Sequence, residues 1–199
     1  CIGRTSAGSG AEEEGLVLLS NGSIFAARDG TSAQNHLVII NNADSTATIV
    51  GRIQSSSSAT SYITSSDYRL KENIVDLTGA IDRVKTLAPK RFNFIVDKDT
   101  TVDGFLAHEV TAVPEAISGT KDETEAIGDV KDADGNVTES KTPKPETLED
   151  GYTWTETGTR PVHQGIDQSK LVPLLTAALQ EAIAKIETLE TKVAALESG

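Results

Sequence analysis

The stretch Ser65-Ser66-Asp67-Tyr68-Arg69-Leu70-Lys71-Glu72-Asn73-Ile74 divides the chain into two unlike parts. Before it, short apolar runs alternate with Ser, Gly and Asn, as in strands and turns. After it, charged residues increase and helical spacing of apolar residues becomes common. Within the stretch, Ser66 stands five residues before Lys71. A serine and a lysine are the parts of a nucleophile–base pair, although this spacing also occurs by chance in most proteins.

The chemistry of such a pair sets a geometric requirement. A serine hydroxyl is a poor nucleophile unless a base takes its proton, and a lysine amine is a base only when neutral. A free lysine has a pKa near ~10.4, so burial or a nearby cation must favour the neutral form. Residues five apart do not share a helix face. Ser66 and Lys71 therefore meet only if the segment turns, and the alternative is a loop of solvated polar side chains.

Composition narrows the class of protein. The chain has 199 residues, enough for one or two domains, of which 37% are hydrophobic and 4% aromatic. This shortage favours a chain that completes its core against copies of itself. The net charge of -12 argues against nucleic acid and against an anionic membrane surface as partners.

Cysteine usage and the ends of the chain add further expectations. The only cysteine is Cys1, so we expect no disulfide framework and no Cys-based metal site. We also expect no cofactor. No apolar run is long enough for a transmembrane helix, and no signal-peptide pattern is present. The chain starts at Cys1 and contains no Met, which suggests a fragment of a longer protein.

Residues 1–65 have the pattern of a small β-structure. Asn21-Gly22 and Asp29-Gly30 favour tight hairpin turns. The residues at 54–61 look like a low-complexity connector. The predicted strands are 15–19, 23–27, 36–40 and 46–50. Such thin strands expose their edges unless they wind with two other copies into a trimeric stalk, and an ordinary small β-domain is the alternative.

Residues 72–118 alternate between helical and extended patterns. Apolar spacing predicts a helix over 77–87, with Thr78 as a cap and Pro89 after its end. The expected elements that follow are a strand over 90–96, a polar turn over 97–103, a strand over 104–110 and a short helix over 113–117.

Residues 119–165 are polar and mostly acidic, which predicts an exposed excursion. The sequence Asp132-Ala133-Asp134-Gly135-Asn136 invites a calcium interpretation. No register, however, places Gly at the sixth and Glu at the twelfth position of an EF-hand loop. We therefore expect a hairpin turn there, and a strand over 152–155.

The last 30 or so residues carry the pattern of a coiled coil. A helix start between Ser169 and Pro173 fits capping and the tolerance of Pro in a first turn. From there to the C-terminus, apolar residues recur at alternating steps of four and three: 175, 179, 182, 186, 189, 193 and 196. This a/d pattern predicts a self-associating helix over about 172–197, with Glu181 and Lys185 paired on its flank.

Three separated motifs, in order, carry a family resemblance. The first is residues 66–74, and the second is Gly-Phe-Leu-Ala-His-Glu at 104–109 followed by Pro-Glu-Ala at 114–116. The third is Gly-Ile-Asp at 165–167, which leads into the closing helix. Together they resemble the self-cleaving C-terminal intramolecular chaperone of phage tail fibres and tailspikes, known from endosialidase tailspikes and classed as peptidase family S74.

The resemblance implies a site and a reaction. The scissile bond would join Ser65 to Ser66, with Ser66 as nucleophile and Lys71 as general base of a single-turnover autoproteolytic serine endopeptidase. Asp67 and Arg69 would orient the loop. His108 would assist Ser66 or Lys71, although a lone histidine is more often a hydrogen-bonded structural residue. Glu109 is a weaker candidate, and no His-Glu-x-x-His zinc signature is present.

The resemblance also implies an α+β architecture with two parts. Residues 1–65 would end a β-stranded, trimeric fibre stalk, and 66–199 would form a mixed α/β chaperone domain that ends in the coiled-coil helix. The expected partners are two further copies, the N-terminal fibre or tailspike portion of the same chain, and a host surface receptor through the mature fibre. Nucleic acid and membrane insertion are not expected. Assembly would occur in the host cytoplasm; the stalk would enter the virion tail and the cut chaperone would leave. The alternative is a non-cleaving, receptor-binding trimeric fibre tip.

Overall fold

The computed structural model describes residues 15–18, 24–27, 32–41 and 47–198, which divide into two compact units. The first unit is Cys1–Ile74 and the second is Val75–Gly199. The stretch 66–74 therefore belongs to the first compact unit. The predicted domain boundary at Ser66 is a different one, because it is placed at the expected cleavage site and not by contacts within the chain. That functional boundary stays a prediction.

The described part of the first unit consists of antiparallel strands. They are β1 (Gly15–Leu18), β2 (Ile24–Ala27), β3 (Gln34–Asn41), β4 (Thr48–Ser55) and β5 (Thr60–Thr64). β1 pairs with β2, so the first predicted hairpin is confirmed, and β3, β4 and β5 form a three-stranded sheet in that order. Asn21-Gly22 and Asp29-Gly30 lie outside the described residues.

The connector predicted over 54–61 is wrong at both of its ends. β4 continues to Ser55, the chain turns where the Ser56 amide donates to the Ala59 carbonyl at 2.9 Å, and β5 begins at Thr60. The serine-rich composition did not predict these strand ends, because the backbone pairing of Gln54 and Ser55 with Ser61 and Thr60 forms them, rather than the strand preference of their side chains.

The sheet of the first unit has no apolar core of its own in the part that the structure describes. Leu37, Ile39, Ile40 and Ile49 are each about half exposed, and the buried apolar side chains of the described chain all lie in the second unit. Half-exposed β-branched and leucine side chains on neighbouring strands leave apolar surface that water contacts.

The second unit is mixed. Its elements are α1 (Ala80–Lys85), β6 (Lys90–Phe94), β7 (Asp97–Gly104), β8 (Ile117–Ser118), β9 (Thr124–Lys131), β10 (Val137–Pro143), β11 (Thr153–Pro161), β12 (Gly165–Ile166) and α2 (Leu171–Glu197). Short 3-10 turns occur at Ala107–Glu109, Pro114–Ala116 and Gln168–Lys170. The described chain is thus β-rich with a single long C-terminal helix, as the α+β prediction requires.

The core of the second unit lies where α1 and the first turns of α2 meet the two 3-10 turns that follow β7. The buried side chains that make up this cluster are Ala80, Val110, Val113, Ala116, Leu171, Leu174 and Ala178. Leu174, Val110 and Val113 are its largest fully buried members. This core is small, so single truncations within it are expected to matter.

Helix α1 is shorter than predicted and is capped differently. It begins at Ala80 rather than at residue 77, and Thr78 does not cap it. Gly79 adopts a left-handed conformation with φ of 68° just before the helix, which glycine tolerates without strain. The carboxylate of Glu181 on α2 accepts from the Ala80 amide at 2.8 Å and the Ile81 amide at 3.1 Å.

These amides determine the ionisation of Glu181. Hydrogen bonds from Ala80 and then Ile81 hold the pKa of the Glu181 carboxyl below its usual range, while the charge of Lys185 contributes least. The predicted pair of Glu181 with Lys185 is therefore wrong as a main contact, because Glu181 turns to the start of α1 instead.

The polar turn predicted over 97–103 and the strand predicted over 104–110 are also wrong. Residues 97–104 form β7, which pairs with β6, and the turn between them is only Ile95 and Val96. Arg91 and Asp103 form a two-point contact across the hairpin, at 2.7 and 2.9 Å. After β7 the chain forms a 3-10 turn over Ala107–Glu109, and Val110, which follows this turn, is buried in the core.

The acidic excursion forms a sheet of its own. β9 lies between β10 and β11, and the predicted hairpin turn between Lys131 and Val137 is confirmed. The carboxylate of Asp132 closes this turn by accepting from the Asn136 amide at 2.8 Å and the Asp134 amide at 3.0 Å. Aspartate commonly stabilises turns in this way, so the turn needs no cation.

The long helix α2 matches the predicted range, but its two faces differ. Asp167 starts the preceding 3-10 turn by accepting from the Ser169 amide at 3.0 Å. Leu171, Leu174 and Ala178 are buried in the chain's own core. Of the seven predicted a/d positions, Ala182 is half-buried. The other six are exposed in the single chain: Leu175, Leu179, Ile186, Leu189, Val193 and Leu196. We call these exposed positions the α2 seam. In the described part of the chain, no helix is long and apolar enough to cross a membrane.

Candidate functional site

The loop after β5 turns as the Ser66–Lys71 hypothesis requires. Asp67 starts a 3-10 turn over Tyr68–Leu70, and its carboxylate accepts from the Arg69 amide at 2.9 Å. The Lys71 amide then donates to the Tyr68 carbonyl at 3.1 Å. This tight turn shortens the path between residues that a regular helix would place on different faces.

The turn brings the two predicted reactive side chains together. Lys71 Nζ lies 2.8 Å from Ser66 Oγ and 3.3 Å from the Ser66 carbonyl oxygen. A neutral amine at that distance from the hydroxyl is within reach of its proton. Both side chains are exposed in the single chain, so water has access to the pair.

The residue before Ser66 is fixed to the sheet. The Ser65 amide donates to the Val50 carbonyl at 3.0 Å, which extends the ladder of β4 with β5 beyond the last strand pair, Gly51 with Thr64. The Ser65–Ser66 peptide bond therefore lies where the chain leaves the sheet. Ser65 is hydrogen-bonded to β4, and Ser66 leads into the 3-10 turn.

Asp67 and Arg69 form a closed pair beside the site. Arg69 Nε donates to Asp67 Oδ1 at 3.0 Å and Arg69 Nη2 donates to Asp67 Oδ2 at 2.7 Å. The hydrogen bond from the Arg69 side chain holds the pKa of the Asp67 carboxyl below its usual range, and Asp67 raises the pKa of Arg69. Their predicted part in orienting the loop is consistent with these contacts.

A cavity of about 320 Å³ opens beside the same peptide bond, within the first unit. Its lining includes Ser65, Ser66, Asp67 and, from the middle strand β4, Arg52. Arg52 Nε is buried and has no hydrogen-bond partner among the described residues. Arg52 is not part of any motif in the sequence, since only strand register connects it to the loop.

His108 lies in the second unit, on the 3-10 turn that follows β7. Together with His163 and Phe92 it lines a cavity of about 580 Å³. Its neighbour Glu109 forms an ion pair with Lys90 at 3.3 Å. The suggestion that His108 assists Ser66 or Lys71 stays a prediction. No group of three or more His, Cys, Asp and Glu side chains in the described chain is arranged to hold a metal ion.

The described residues thus define a class of protein in which a loop with a serine–lysine contact follows a β-sheet and a small α+β unit follows the loop in sequence. Residues 66–118 match the family model Peptidase S74, described as chaperone of endosialidase. The match includes the first two of the three motifs in the sequence, so the resemblance is confirmed for this segment. The family description indicates a chaperone role and a peptidase-related domain. No curated protein and no solved structure matches the chain.

Proposed function

We propose that the chain is the C-terminal end of a trimeric phage fibre or tailspike, whose terminal domain guides stalk folding and then cuts itself free at Ser65–Ser66. The observation that supports cutting most directly is the 2.8 Å separation of Lys71 Nζ from Ser66 Oγ. The family match over residues 66–118 supports the chaperone part.

The proposed reaction uses only groups of the chain and one water molecule. The neutral Lys71 amine accepts the proton of Ser66 Oγ, which attacks the carbonyl carbon of Ser65. The Ser65–Ser66 C–N bond breaks as the proton passes from Lys71 to the Ser66 nitrogen, which leaves an ester of Ser65 on Ser66 Oγ. Water then hydrolyses this ester and releases the Ser65 carboxylate and the Ser66 hydroxyl.

Exposed apolar surface supports the trimer. The sheet of the first unit has half-exposed Leu37, Ile39 and Ile49, and the α2 seam is uncovered in the single chain. Interwound strands must close long loops before their contacts form, which makes assembly slow. A coiled coil that forms first raises the local concentration of the three stalk ends.

The proposed sequence of events sets location and partners. Three copies assemble in the host cytoplasm, and the domain guides the N-terminal fibre portion of the same chains. Cutting then releases the domain and leaves a kinetically stable stalk, because the assembly guide is no longer attached. The stalk enters the virion tail, where the mature fibre contacts a host surface receptor.

Mass spectrometry of the purified chain tests the cut. We expect fragments 1–65 and 66–199, with Ser66 as the new N-terminal residue. Ser66→Ala and Lys71→Ala should stay full length, since one lacks the nucleophile and the other lacks the base. Ser61→Ala, which removes an exposed hydroxyl from strand β5 just before the loop, is the matched control and should be cut like the wild type.

A wild-type chain that stays intact on long incubation would contradict the cut and favour the non-cleaving fibre tip. Normal cutting of Lys71→Ala would remove Lys71 from the mechanism but leave Ser66 in place.

A further inference from the structure

The register of the sheet places Arg52 beside the scissile bond. Arg52 pairs with Ile63 across β4 and β5, and Ser65 lies two residues beyond Ile63 in the same ladder. Side chains two residues apart on a strand project from the same face. Arg52 and Ser65 are therefore diagonal neighbours on one face, within reach of a long side chain.

The cavity at the cut contains an unused donor. The lining of the 320 Å³ cavity includes Arg52, Ser65 and Ser66, and Arg52 Nε is buried without a hydrogen-bond partner among the described residues. A buried charged donor that makes no hydrogen bond destabilises the folded chain, because it has lost its hydrogen bonds to water without a replacement. In the uncut chain, Arg52 Nε–H has no acceptor among the described residues, so it is free to donate to an acceptor that forms during the reaction.

The other charges near the bond are already engaged. The Asp67 carboxylate accepts two hydrogen bonds from the Arg69 guanidinium, so the charges of these two residues largely offset each other. The Lys71 amine contacts Ser66. Arg52 is thus the cation in the lining of this cavity whose Nε–H is available for a new negative charge.

We propose that Arg52 stabilises the oxyanion that forms on the Ser65 carbonyl oxygen when Ser66 attacks. This inference rests on the proposed cleavage. A guanidinium offers fixed, planar donors and a permanent charge, which suit an oxygen that becomes negative only in the transition state. No bond to Arg52 forms or breaks, and its charge is unchanged through the reaction.

The position of Arg52 on β4 has a further consequence. The nucleophile and base are close in sequence, but Arg52 lines the same cavity as Ser65 and Ser66 only when β4 has paired with β5. The site is therefore complete only after the end of the stalk has folded, and this ties the cut to the structure that the domain is proposed to build.

Cleavage kinetics of Arg52→Gln, followed from a freshly purified uncut pool, test this role. Removal of one oxyanion donor slows a reaction about 100- to 1,000-fold, and we expect Arg52→Gln to fall in that range. Arg52→Lys keeps the charge but loses the planar donors, so its cleavage rate should lie between those of the wild type and Arg52→Gln. Arg91→Gln makes the same change in charge in the second unit and should be cut at the wild-type rate.

Two readouts separate stabilisation of the oxyanion from a structural effect. Guanidinium at low millimolar concentration should restore part of the cutting of Arg52→Ala. In a Ser66→Ala background, which cannot cut, Arg52→Gln should keep the thermal unfolding temperature and oligomeric state of its parent.

The outcomes are distinct. Wild-type cutting of Arg52→Gln would overturn the role of Arg52 and leave the proposed cleavage intact. Slow cutting together with a lowered unfolding temperature and no guanidinium rescue would also overturn it, in favour of a structural arginine. A wild-type chain that never cuts would instead refute the proposed function itself.

Discussion

Replacing both Leu189 and Val193 by Asp should turn the proposed trimer into single chains. These two residues of the α2 seam lie in the second half of the helix and are 59% and 51% exposed in the single chain. Helix positions that recur at steps of four and three and remain exposed are those that a coiled coil buries. The substitution removes this apolar surface and puts carboxylates in its place.

The size of the effect follows from the surface that remains to be buried. Full burial of a Leu or Val side chain is worth about 1.5–3 kcal/mol, and about half of that is still to be gained at each position. Two positions in three chains then give about 5–10 kcal/mol per trimer. At about 1.4 kcal/mol per factor of ten, the loss exceeds about a thousandfold in the association constant, before the cost of burying carboxylates is added.

Light scattering after size-exclusion chromatography, over a range of protein concentrations, measures the change. The measurement uses the Ser66→Ala background, in which the proposed cut cannot occur. Ala184→Asp is the matched control, because Ala and Leu have similar helix propensity and Ala184 is exposed on the face away from the α2 seam. It should remain a trimer with the same helix content by circular dichroism.

A trimeric Leu189→Asp, Val193→Asp variant would refute the role of the α2 seam. A wild-type chain that is monomeric at every concentration would refute self-association through this helix altogether.

Two further predictions concern the second unit. Leu174→Ala should lower the free energy of unfolding by about 2–5 kcal/mol, because Leu174 is only 2% exposed, whereas Val172→Ala on the exposed side should change little in urea unfolding. Glu181 has a lowered pKa in the folded chain, so its stabilising contribution is present above the ordinary glutamate pKa of about 4.3 and is lost as the pH falls through the lower folded value. Glu181→Gln should therefore unfold at a lower temperature than the wild type near neutral pH, and the two should converge in acid; a difference that persists in acid would contradict this assignment.

Elements set by neighbouring residues could be predicted from the sequence. The heptad pattern predicts α2, and Asp132 with Gly135 predicts the hairpin turn that the structure has. The contact of Ser66 with Lys71 is also local, since a single 3-10 turn makes it. In each case the deciding interactions join residues only a few positions apart.

Elements set by distant partners could not be predicted. β5 follows the serine run 55–58, and the predicted connector extended over Thr60 and Ser61, which are strand residues because they pair with Ser55 and Gln54 of β4. The cap of α1 comes from Glu181, about a hundred residues away, so Thr78 looked like the better cap in sequence. Arg52 had no signal at all, because its nearness to the cut depends on strand register.

The distinction between local and distant contacts also bears on when the chain is cut. The Ser66–Lys71 contact needs only the loop, so it can form before the stalk folds and cannot by itself delay the reaction. The bond from the Ser65 amide to the Val50 carbonyl needs β4 in place. Under the proposed mechanism, the pairing of β4 with β5 therefore sets the timing of the cut.

Ile53→Pro tests this argument because it removes a backbone donor from the middle strand of the sheet and leaves the loop residues unchanged. We expect the cut to be lost, since Ser65 is no longer held in the ladder. Ser57→Pro places the same residue in the turn between β4 and β5, outside the ladder, and should still be cut. If Ile53→Pro is cut as fast as the wild type, the loop acts alone and the sheet does not control the reaction.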